Sequence, residues 1–399
     1  MHVAFALLTL FPGQVGGAES NVRGVLGQFA DGNGPERVTV LANRDVAASY
    51  GGYVGGPIDL CEVRSYRAGR GRATRLMAMA GAAVAPRLVA RGVPRGFDVL
   101  HHPVTVPIPR LRGVPTVTTV YDLQHRELPG FFSRGELAYR RWAYEGAARA
   151  ADLVLTTSEY SRERLIELAG VAPTRAVAIP MGIDHARFTP RATEVDETLS
   201  KQLSLPERYI VYPANLWPHK NHERLIAALG ATPSDVHLVL TGQDYGRLAE
   251  IERCARQARV SDRVRHLGYL QSDQVPALYR LATAMVFPSL YEGFGSPPLE
   301  AMACGCPVSC ATSGSLAEVV GDAALTFDPR SVDAIAASVE RIVDDRALGA
   351  ELRVKGLERA GGFTWSEAAR RHRDAYALAA SSPHAALDRS ARSGDSSRH

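Results

Sequence analysis

The stretch Phe287-Pro-Ser-Leu-Tyr-Glu-Gly-Phe-Gly-Ser-Pro-Pro-Leu-Glu300 joins the end of an apolar run to a loop with two glycines and then to a helix start. Ser296 is expected to be the N-cap of that helix, with Pro297 at its first position. Gly293 and Gly295 let the backbone approach a ligand, and the N–H groups at the helix start favour a phosphate. Such a strand, loop and helix is the building unit of doubly wound α/β domains.

Two carboxylates, Glu292 and Glu300, flank this turn with seven residues between them. Glu300 is expected in the first helical turn and Glu292 in the loop. Carboxylates of this kind accept hydrogen bonds from vicinal hydroxyls, as in a ribose or a sugar. The other interpretation is that Glu300 only caps its helix and Glu292 is solvated.

A second strand, loop and helix is expected in Tyr209-Ile-Val-Tyr-Pro-Ala-Asn-Leu-Trp-Pro-His-Lys-Asn-His222. Lysine is rare in this chain, since Lys201, Lys220 and Lys355 are the only three among 46 Lys and Arg residues. Lys220 follows a strand end and stands next to His219, which suits a compact charge directed at a diphosphate. A solvated surface lysine is the alternative.

A third glycine-containing loop, Phe11-Pro-Gly-Gln-Val-Gly-Gly-Ala-Glu19, follows the first apolar run. Gly16 and Gly17 would admit a phosphate or a sugar close to the backbone. The spacing is not that of a dinucleotide-binding G-x-G-x-x-G motif, so a plain strand-to-helix turn fits equally well.

Short apolar runs alternate with helical stretches along the chain, which predicts parallel sheets with helices on both faces. The runs lie at 3–10, 37–41, 99–101, 116–121, 153–157 and 176–179, and then at 209–213, 237–241, 264–267, 284–287, 307–309 and 324–327. Two series predict two doubly wound α/β domains. We place an N-terminal domain at 1–188 and a C-terminal domain at 189–362. A helix at 363–380 is expected to pack back on the N-terminal domain, and 381–399 are expected to be a disordered tail.

The amino-acid composition indicates a globular protein and argues against a metal site and against nucleic-acid binding. The 399 residues are 46% hydrophobic and 22% charged, which is ordinary for a globular protein. Cys304, Cys306 and Cys310 lie close together without a second ligand pair, so free thiols of a cytoplasmic protein are favoured over a metal site. The basic residues are not interleaved with stacking aromatics, which argues against nucleic-acid binding. No obligate protein partner is indicated.

Basic residues concentrate in the first half of the chain. Between Arg64 and Arg95 there are eight Arg and no acids, interleaved with apolar residues. Such a stretch suits peripheral contact with an anionic membrane, at the inner face for a cytoplasmic protein. The competing interpretation is a helix with a solvated basic face. No apolar run approaches the roughly 20 residues that span a bilayer.

Taken together, these motifs resemble the retaining GT-B glycosyltransferases of family 4, the group 1 glycosyl transferases, over nearly the whole chain. The resemblance is carried by Gly16-Gly17, Tyr121-Asp122, Pro180-Met-Gly-Ile-Asp184, Lys220, the E-x7-E element from Glu292 to Glu300, and Glu318. It implies two Rossmann-like domains that face an interdomain cleft. It also implies a retaining hexosyltransferase that uses a nucleotide-diphosphate sugar and a hydroxyl acceptor.

The resemblance further implies the role of each matching residue. Lys220 would hold the diphosphate, Glu300 the ribose hydroxyls and Glu292 the hydroxyls of the transferred sugar. The phosphate cradle would be completed by backbone N–H groups of the C-terminal domain and by Gly17 of the other domain. The expected nucleotide-binding set is Gly16, Gly17, Lys220, Gly293, Phe294, Gly295, Leu299, Glu300 and Glu318.

The chain departs from the family pattern at the strand end where many members have a histidine before an aspartate. Here Tyr121 precedes Asp122. Asp122 and His125 are the catalytic candidates from this domain, and His101 and His102 compete with His125 for the histidine's role.

The mechanism implied is a same-face transfer in which the departing diphosphate accepts the proton of the acceptor hydroxyl. No D-x-D sequence occurs, so metal-independent transfer without a further cofactor is expected. GDP-mannose is the first donor candidate, and a UDP-sugar the next. The alternatives are a non-transferring GT-B enzyme, such as a sugar-nucleotide epimerase, and a regulatory protein that only binds the nucleotide sugar.

Overall fold

In the computed structural model, residues 1–13, 16–32, 34, 36–68 and 71–381 are described. The predicted tail lies outside them from residue 382 onward. The chain divides into two compact units. Unit 1 is Met1–Gly182 together with the chain from Trp365 onward, and unit 2 is Ile183–Thr364.

Unit 1 contains a seven-stranded sheet in the order β3-β2-β1-β4-β5-β6-β7, and every neighbouring pair is parallel. Its strands are β1 (His2–Ala6), β2 (Arg37–Ala42), β3 (Ile58–Glu62), β4 (Val99–His102), β5 (Thr116–Thr119), β6 (Leu153–Thr156) and β7 (Ala176–Ala178). Its α-helices, numbered in chain order, are α1 (Gly17–Ala30), α2 (Arg44–Tyr50), α3 (Arg72–Val84), α4 (Pro86–Arg91), α5 (Gln124–Glu127), α6 (Arg134–Arg140), α7 (Gly146–Ala150), α8 (Glu159–Ala169) and α17 (Trp365–Ala380).

Unit 2 contains a six-stranded parallel sheet in the order β10-β9-β8-β11-β12-β13. Its strands are β8 (Tyr209–Pro213), β9 (His237–Thr241), β10 (Val264–His266), β11 (Ala284–Phe287), β12 (Val308–Ala311) and β13 (Leu325–Phe327). Its α-helices are α9 (Glu194–Gln202), α10 (His222–Leu229), α11 (Leu248–Gln257), α12 (Gln274–Leu281), α13 (Ser296–Ala303), α14 (Leu316–Val320), α15 (Val332–Asp344) and α16 (Arg346–Gly361). Two parallel sheets flanked by helices confirm the predicted α/β fold class.

Both sheets reverse their strand order at one point. In unit 1 the chain moves outward from β1 to β3 and then returns to the other side of β1 with β4. Unit 2 repeats this pattern with β8 and β11. In open α/β sheets, ligands bind beyond the carboxyl ends of the strands at such a switch point. The loops after β1 and β4, and those after β8 and β11, are therefore the places where a ligand site is expected.

The sequence predicts twelve of the strands, and β3 is the exception. Its residues alternate apolar with polar, and only Ile58 is fully buried. β3 lies at the sheet edge with one neighbour, so it lacks the continuous apolar run that marks a central strand. The predicted strand at 3–10 is also too long, because β1 ends at Ala6 and the buried Leu7, Leu8 and Leu10 lie in the following turn.

Helix α17 completes the core of unit 1. Five of its residues join the cluster built around β1, β2 and α1, namely Ala368, Ala369, Ala375, Tyr376 and Ala379. The hydroxyl of Tyr376 lies 2.8 Å from Nδ1 of His101 on β4. Within the described residues, no helix has both the length and the apolar character that a bilayer-spanning segment needs.

Candidate active site

The loop after β8 holds Lys220 in a fixed position. Residues Pro218–Lys220 form a 3₁₀ turn, and Asn221 then adopts a left-handed conformation with φ of 63° before α10 begins. The side-chain amide of Asn221 donates to the carbonyls of Pro288 (3.0 Å) and Pro329 (2.7 Å). Asparagine tolerates this conformation better than most residues, so Asn221 fixes both the turn and its contact with the loop after β11. Asn221 directly follows the lysine, but no pattern in the sequence marks it as a functional residue.

Lys220 and Glu292 meet across the switch point of unit 2. Their Nζ and Oε1 atoms are 2.5 Å apart, and the side chains are 18% and 14% exposed. The ammonium group also lies 5.7 Å from the ring centre of Phe287. The two residues expected to bind the diphosphate and the sugar are thus brought together. In this pair, the carboxylate of Glu292 balances the charge of Lys220.

The loop of Glu292 is held by the segment after β12. The backbone N–H of Ser315 donates to the carbonyl of Glu292 (3.2 Å), and the Ser315 hydroxyl lies within 3.1 Å of the carbonyls of Glu292 and Phe294. Gly314 has φ of 61°, and a Cβ there would come within 2.6 Å of the Glu292 carbonyl oxygen. Gly314 and Ser315 therefore position the loop. The only signal for them in the sequence is that they precede Glu318 by a few residues.

Helix α13 begins at Ser296, but its N-cap is Gly295 rather than the predicted Ser296. Gly295 has φ of 93°, and a Cβ there would lie 2.5 Å from Cδ2 of Leu316. Glycine takes the cap because the turn needs a positive φ next to a buried leucine. The first-turn N–H groups of an α-helix have no intrahelical acceptors and suit an anion, but Pro297 and Pro298 have no N–H, so Ser296 is the first residue of α13 that can donate in this way.

Glu300 is the fifth residue of α13, just beyond the first helical turn in which it was expected. Its carboxylate is partly buried, and the hydroxyl of Tyr279 donates to it over 3.4 Å. Burial raises the pKa of Glu300 to about 7, and the positive charge of Arg187 opposes part of that rise. A carboxylate that is poorly compensated in the free protein is suited to accept hydrogen bonds from ligand hydroxyls.

Glu318 lies on the short helix α14 and is exposed. Its backbone carbonyl accepts a hydrogen bond of 2.6 Å from the guanidinium of Arg359. Gly293 and Phe294 lie between Glu292 and the α13 cap, and Leu299 is buried in α13. The residues expected from unit 2 therefore all lie in the segments after β8, β11 and β12.

In unit 1, Gly16 and Gly17 lie at the start of α1. Gly16 has φ of 51°, and a Cβ built on either glycine has no heavy atom of the described, non-neighbouring residues within 4 Å. The backbone there is open to close approach by a ligand. Gln14 and Val15, in the same loop, lie outside the described residues. The N–H of Gly13 donates to the carboxylate of Glu19 (2.6 Å), which ties the loop to the first turn of α1.

The segment after β5 places Asp122 and His125 in different environments. Asp122 is partly exposed and accepts a hydrogen bond from the N–H of Gln124 (3.0 Å). The imidazole of His125 is fully buried, with Nε2 3.0 Å from the carboxylate of Glu145. Arg126 donates to both oxygens of the same carboxylate at 2.8 Å. Burial lowers the pKa of His125, and Glu145 opposes that change.

The two competing histidines on β4 are buried as well. His101 has Tyr376 and Thr119 as partners, each at 2.8 Å, and Nε2 of His102 donates to the carbonyl of Pro109 at 2.8 Å. Burial lowers the pKa of His102 to about 4 and that of His101 well below its usual value. All three candidates are therefore packed inside unit 1, and this placement favours structural roles for them.

The described cysteines and other potential metal ligands do not form a metal site. All five cysteines are free thiols, and burial raises the pKa of Cys304 to about 12. Among the described residues, no group of three or more His, Cys, Asp and Glu side chains has the arrangement that would hold a metal ion.

Comparison with known proteins gives two matches to family models. Residues 195–359 match the model described as glycosyl transferases group 1, and residues 15–187 match glycosyltransferase family 4. The chain is 31% identical over 289 residues to the O-antigen chain mannosyltransferase B of Escherichia coli, covering 70% of this chain and 74% of that protein. It is also 32% identical over 226 residues to the serotype-specific mannosyltransferase WbdA of Escherichia coli, which covers 55% of this chain and 28% of that longer protein.

Among solved structures, HepE from Anabaena in complex with UDP and glucose superposes with a TM-score of 0.73. The superposition covers 95% of this chain and 100% of that one, at 20% sequence identity. At this identity the likeness establishes the fold, which is the GT-B fold, with two α/β units, that the sequence predicts.

Proposed function

Because the chain belongs to the group 1 glycosyl transferases of glycosyltransferase family 4, we propose that it is a retaining hexosyltransferase. It takes the hexosyl group from a nucleotide-diphosphate sugar and transfers it to a hydroxyl of a glycan, lipid-linked or small-molecule acceptor. The observation that carries this proposal is the Lys220–Glu292 pair at the switch point of unit 2, beside the start of α13. GDP-mannose is the first donor candidate because two relatives are mannosyltransferases. A UDP-sugar is the second, because HepE binds UDP.

Each site residue has a role in this proposal. Lys220 leaves Glu292 and binds the diphosphate, while the backbone N–H groups of Phe294, Gly295, Ser296 and Leu299 bind the phosphate oxygens; Pro297 and Pro298 have no N–H to donate. Glu300 accepts hydrogen bonds from the ribose hydroxyls, and Glu292, once released, accepts them from the transferred sugar. Glu318 lies near the nucleotide. In unit 1, Gly16 and Gly17 admit a substrate group to the backbone, and Asp122 is the acidic group at the acceptor side.

The proposed reaction breaks the bond between the anomeric carbon and the diphosphate and forms a bond to the acceptor oxygen on the same face. The proton of the acceptor hydroxyl passes to the departing phosphate oxygen. Negative charge therefore develops on the diphosphate, and Lys220 and the α13 terminus stabilise it. His125 contributes by holding the segment of Asp122 through its contact with Glu145 and not by contact with substrate.

The reaction is proposed to need no metal ion, because a lysine and a helix terminus supply the positive potential at the diphosphate. Transfer is then expected to continue in the presence of a chelator. Loss of activity in the chelator, with recovery on addition of magnesium, would contradict this part of the proposal.

Product analysis with GDP-mannose and UDP-glucose tests the proposed function. The protein is incubated in chelator with each donor and with methyl α-mannoside or mannose oligosaccharides as acceptors. Release of nucleoside diphosphate that depends on the acceptor, with an α-linked product, supports retaining transfer. A β-linked product contradicts retention. Conversion of the donor sugar without acceptor identifies an epimerase, and binding without turnover identifies a regulatory protein.

A further inference from the structure

Five arginines line one groove of unit 1, which we call the arginine groove. Arg87 and Arg91 come from α4, Arg95 from the loop before β4, and Arg110 and Arg112 from the loop before β5. The groove has a volume of about 910 Å³, and all five arginines are exposed. Its other described lining residues are apolar, proline or glycine, and none of them is acidic.

These five arginines differ from the arginines that form ion pairs elsewhere in the protein. Arg126, Arg164 and Arg208, for example, each form ion pairs with one or more carboxylates. Within the part of the chain that the structure describes, no carboxylate lies within ion-pair distance of the five groove arginines. Five positive charges so close together create a strong positive potential, and this potential attracts anions to the groove.

An apolar cavity adjoins the arginine groove. It has a volume of about 250 Å³, and its lining includes Met79, Val89, Ile108 and Trp142. Pro86 and Arg110 line both the cavity and the groove, so α4 lies between them. Val89 of α4 faces the cavity, while Arg87 and Arg91 face the groove.

Large apolar side chains are also exposed on these elements. Trp142 is 66% exposed at the cavity mouth, Leu88 of α4 is 54% exposed, and Met77 of α3 is 65% exposed. Exposed apolar groups beside a cluster of unpaired cations are typical of a surface that rests in the headgroup region of a bilayer. Tryptophan in particular is favoured at the membrane–water interface.

We propose that this face of unit 1 docks on an anionic phospholipid bilayer. Lipid phosphates bind the guanidinium groups in the arginine groove, and Trp142 and Leu88 enter the interfacial layer. A single-stranded nucleic acid fits less well, because Phe97, the one aromatic residue among the described lining of the groove, is buried. The groove lies at the edge where β4 and β5 begin, opposite the edge of Gly17 and Asp122. The proposal is therefore independent of the transfer reaction.

The surface differs from the stretch expected from the sequence. Of the eight arginines between Arg64 and Arg95, Arg87, Arg91 and Arg95 line the groove, and Arg110 and Arg112 join them from a later loop. Arg70 lies outside the described residues. The fold thus brings two cations from outside the stretch, Arg110 and Arg112, to the same groove.

Vesicle flotation tests the arginine groove. We expect the full chain to float with vesicles of phosphatidylglycerol and phosphatidylcholine at about 0.1 M salt, and not with phosphatidylcholine alone. Each basic side chain near an anionic surface raises partitioning about fivefold, so the variant R91Q/R95Q/R112Q should partition about a hundredfold less. The matched control R256Q/R341Q/R346Q removes three exposed arginines of unit 2 and should float as the wild type does.

A second variant tests the apolar part of the surface. Trp142→Ser should reduce flotation, whereas Val354→Ser, which removes a side chain also 66% exposed in unit 2, should not. The proposal is overturned if the wild type does not float at low salt, or if the groove variant and its control float equally. It is also overturned if the protein binds single-stranded DNA but no vesicles. Thermal unfolding of each variant verifies that the protein remains folded.

Discussion

At the scale of single residues, the Lys220–Glu292 pair couples the two parts of the proposed donor site. Each side chain is mostly buried and has the other as its partner at 2.5 Å. A diphosphate carries more negative charge than one carboxylate, so it is expected to displace Glu292 from Lys220. That displacement releases Glu292 to accept sugar hydroxyls only when the diphosphate is bound.

Replacing Lys220 should affect turnover more than it affects folding. Lys220→Ala removes a charge that stabilises the leaving diphosphate, so kcat should fall roughly 10²–10³-fold. Lys201→Ala is the matched control, because Lys201 is an exposed lysine of α9 in the same unit. Steady-state kinetics with the active donor measures both variants. Turnover of Lys220→Ala within a few-fold of wild type would remove the lysine from the mechanism.

Glu300 should make the stability of the protein depend on pH. Its pKa is about 7 in the folded protein, whereas an unperturbed glutamate has a pKa near 4.5. Between these values the folded state holds a proton that the unfolded state has lost, so the free energy of unfolding falls as pH rises from 5 to 7. The contribution is constant above pH 8.

The variant Glu300→Gln isolates this effect. Glutamine does not titrate, so the stability of wild type relative to Glu300→Gln should decrease between pH 5 and 8. Urea unfolding at several pH values measures the difference. A difference that is constant over this range, or that increases with pH, would show that Glu300 is already ionised throughout.

At the scale of elements, the turn before α13 depends on its glycines. Gly295→Ala places a Cβ against Leu316 at a φ of 93°, so it should destabilise the protein by about 1–3 kcal/mol. Gly349→Ala in α16 is the control, because no atom lies within 4 Å of its Cβ position and alanine favours a helix. Denaturant unfolding compares the two. Equal stability of both variants would contradict the account of the turn.

The same elements show what a sequence can predict. Central strands such as β8 and β11 are continuous apolar runs, so they are evident before the structure is known. The edge strand β3 alternates polar and apolar residues and is missed. The Gly295 cap depends on its contact with Leu316, and the burial of His125 depends on Glu145, twenty residues away. Contacts of this kind arise only from tertiary packing, which local patterns do not encode.

At the scale of the whole molecule, helix α17 pairs with a residue from the first part of the chain. Arg373 of α17 lies 2.8 Å from the carboxylate of Glu36, whose side chain is 1% exposed. Arg373→Met leaves that carboxylate buried without its partner, which should destabilise the protein by about 3 kcal/mol. Arg371→Met is the control, because its pair with Glu367 is exposed and contributes less than about 1 kcal/mol. Equal urea midpoints for the two variants would contradict this role of α17.

The most direct test of the proposed donor site is thermal stability in the presence of nucleotides. Wild type, Lys220→Ala and Lys201→Ala are each heated with GDP, UDP, ADP or dTDP in chelator. A ligand at 100 times its dissociation constant adds about 2.7 kcal/mol of stability, which is a measurable shift in Tm. We predict that one nucleotide, GDP first, stabilises wild type and Lys201→Ala but not Lys220→Ala. If no nucleotide stabilises the wild type, or if one stabilises all three proteins equally, the diphosphate does not bind at Lys220.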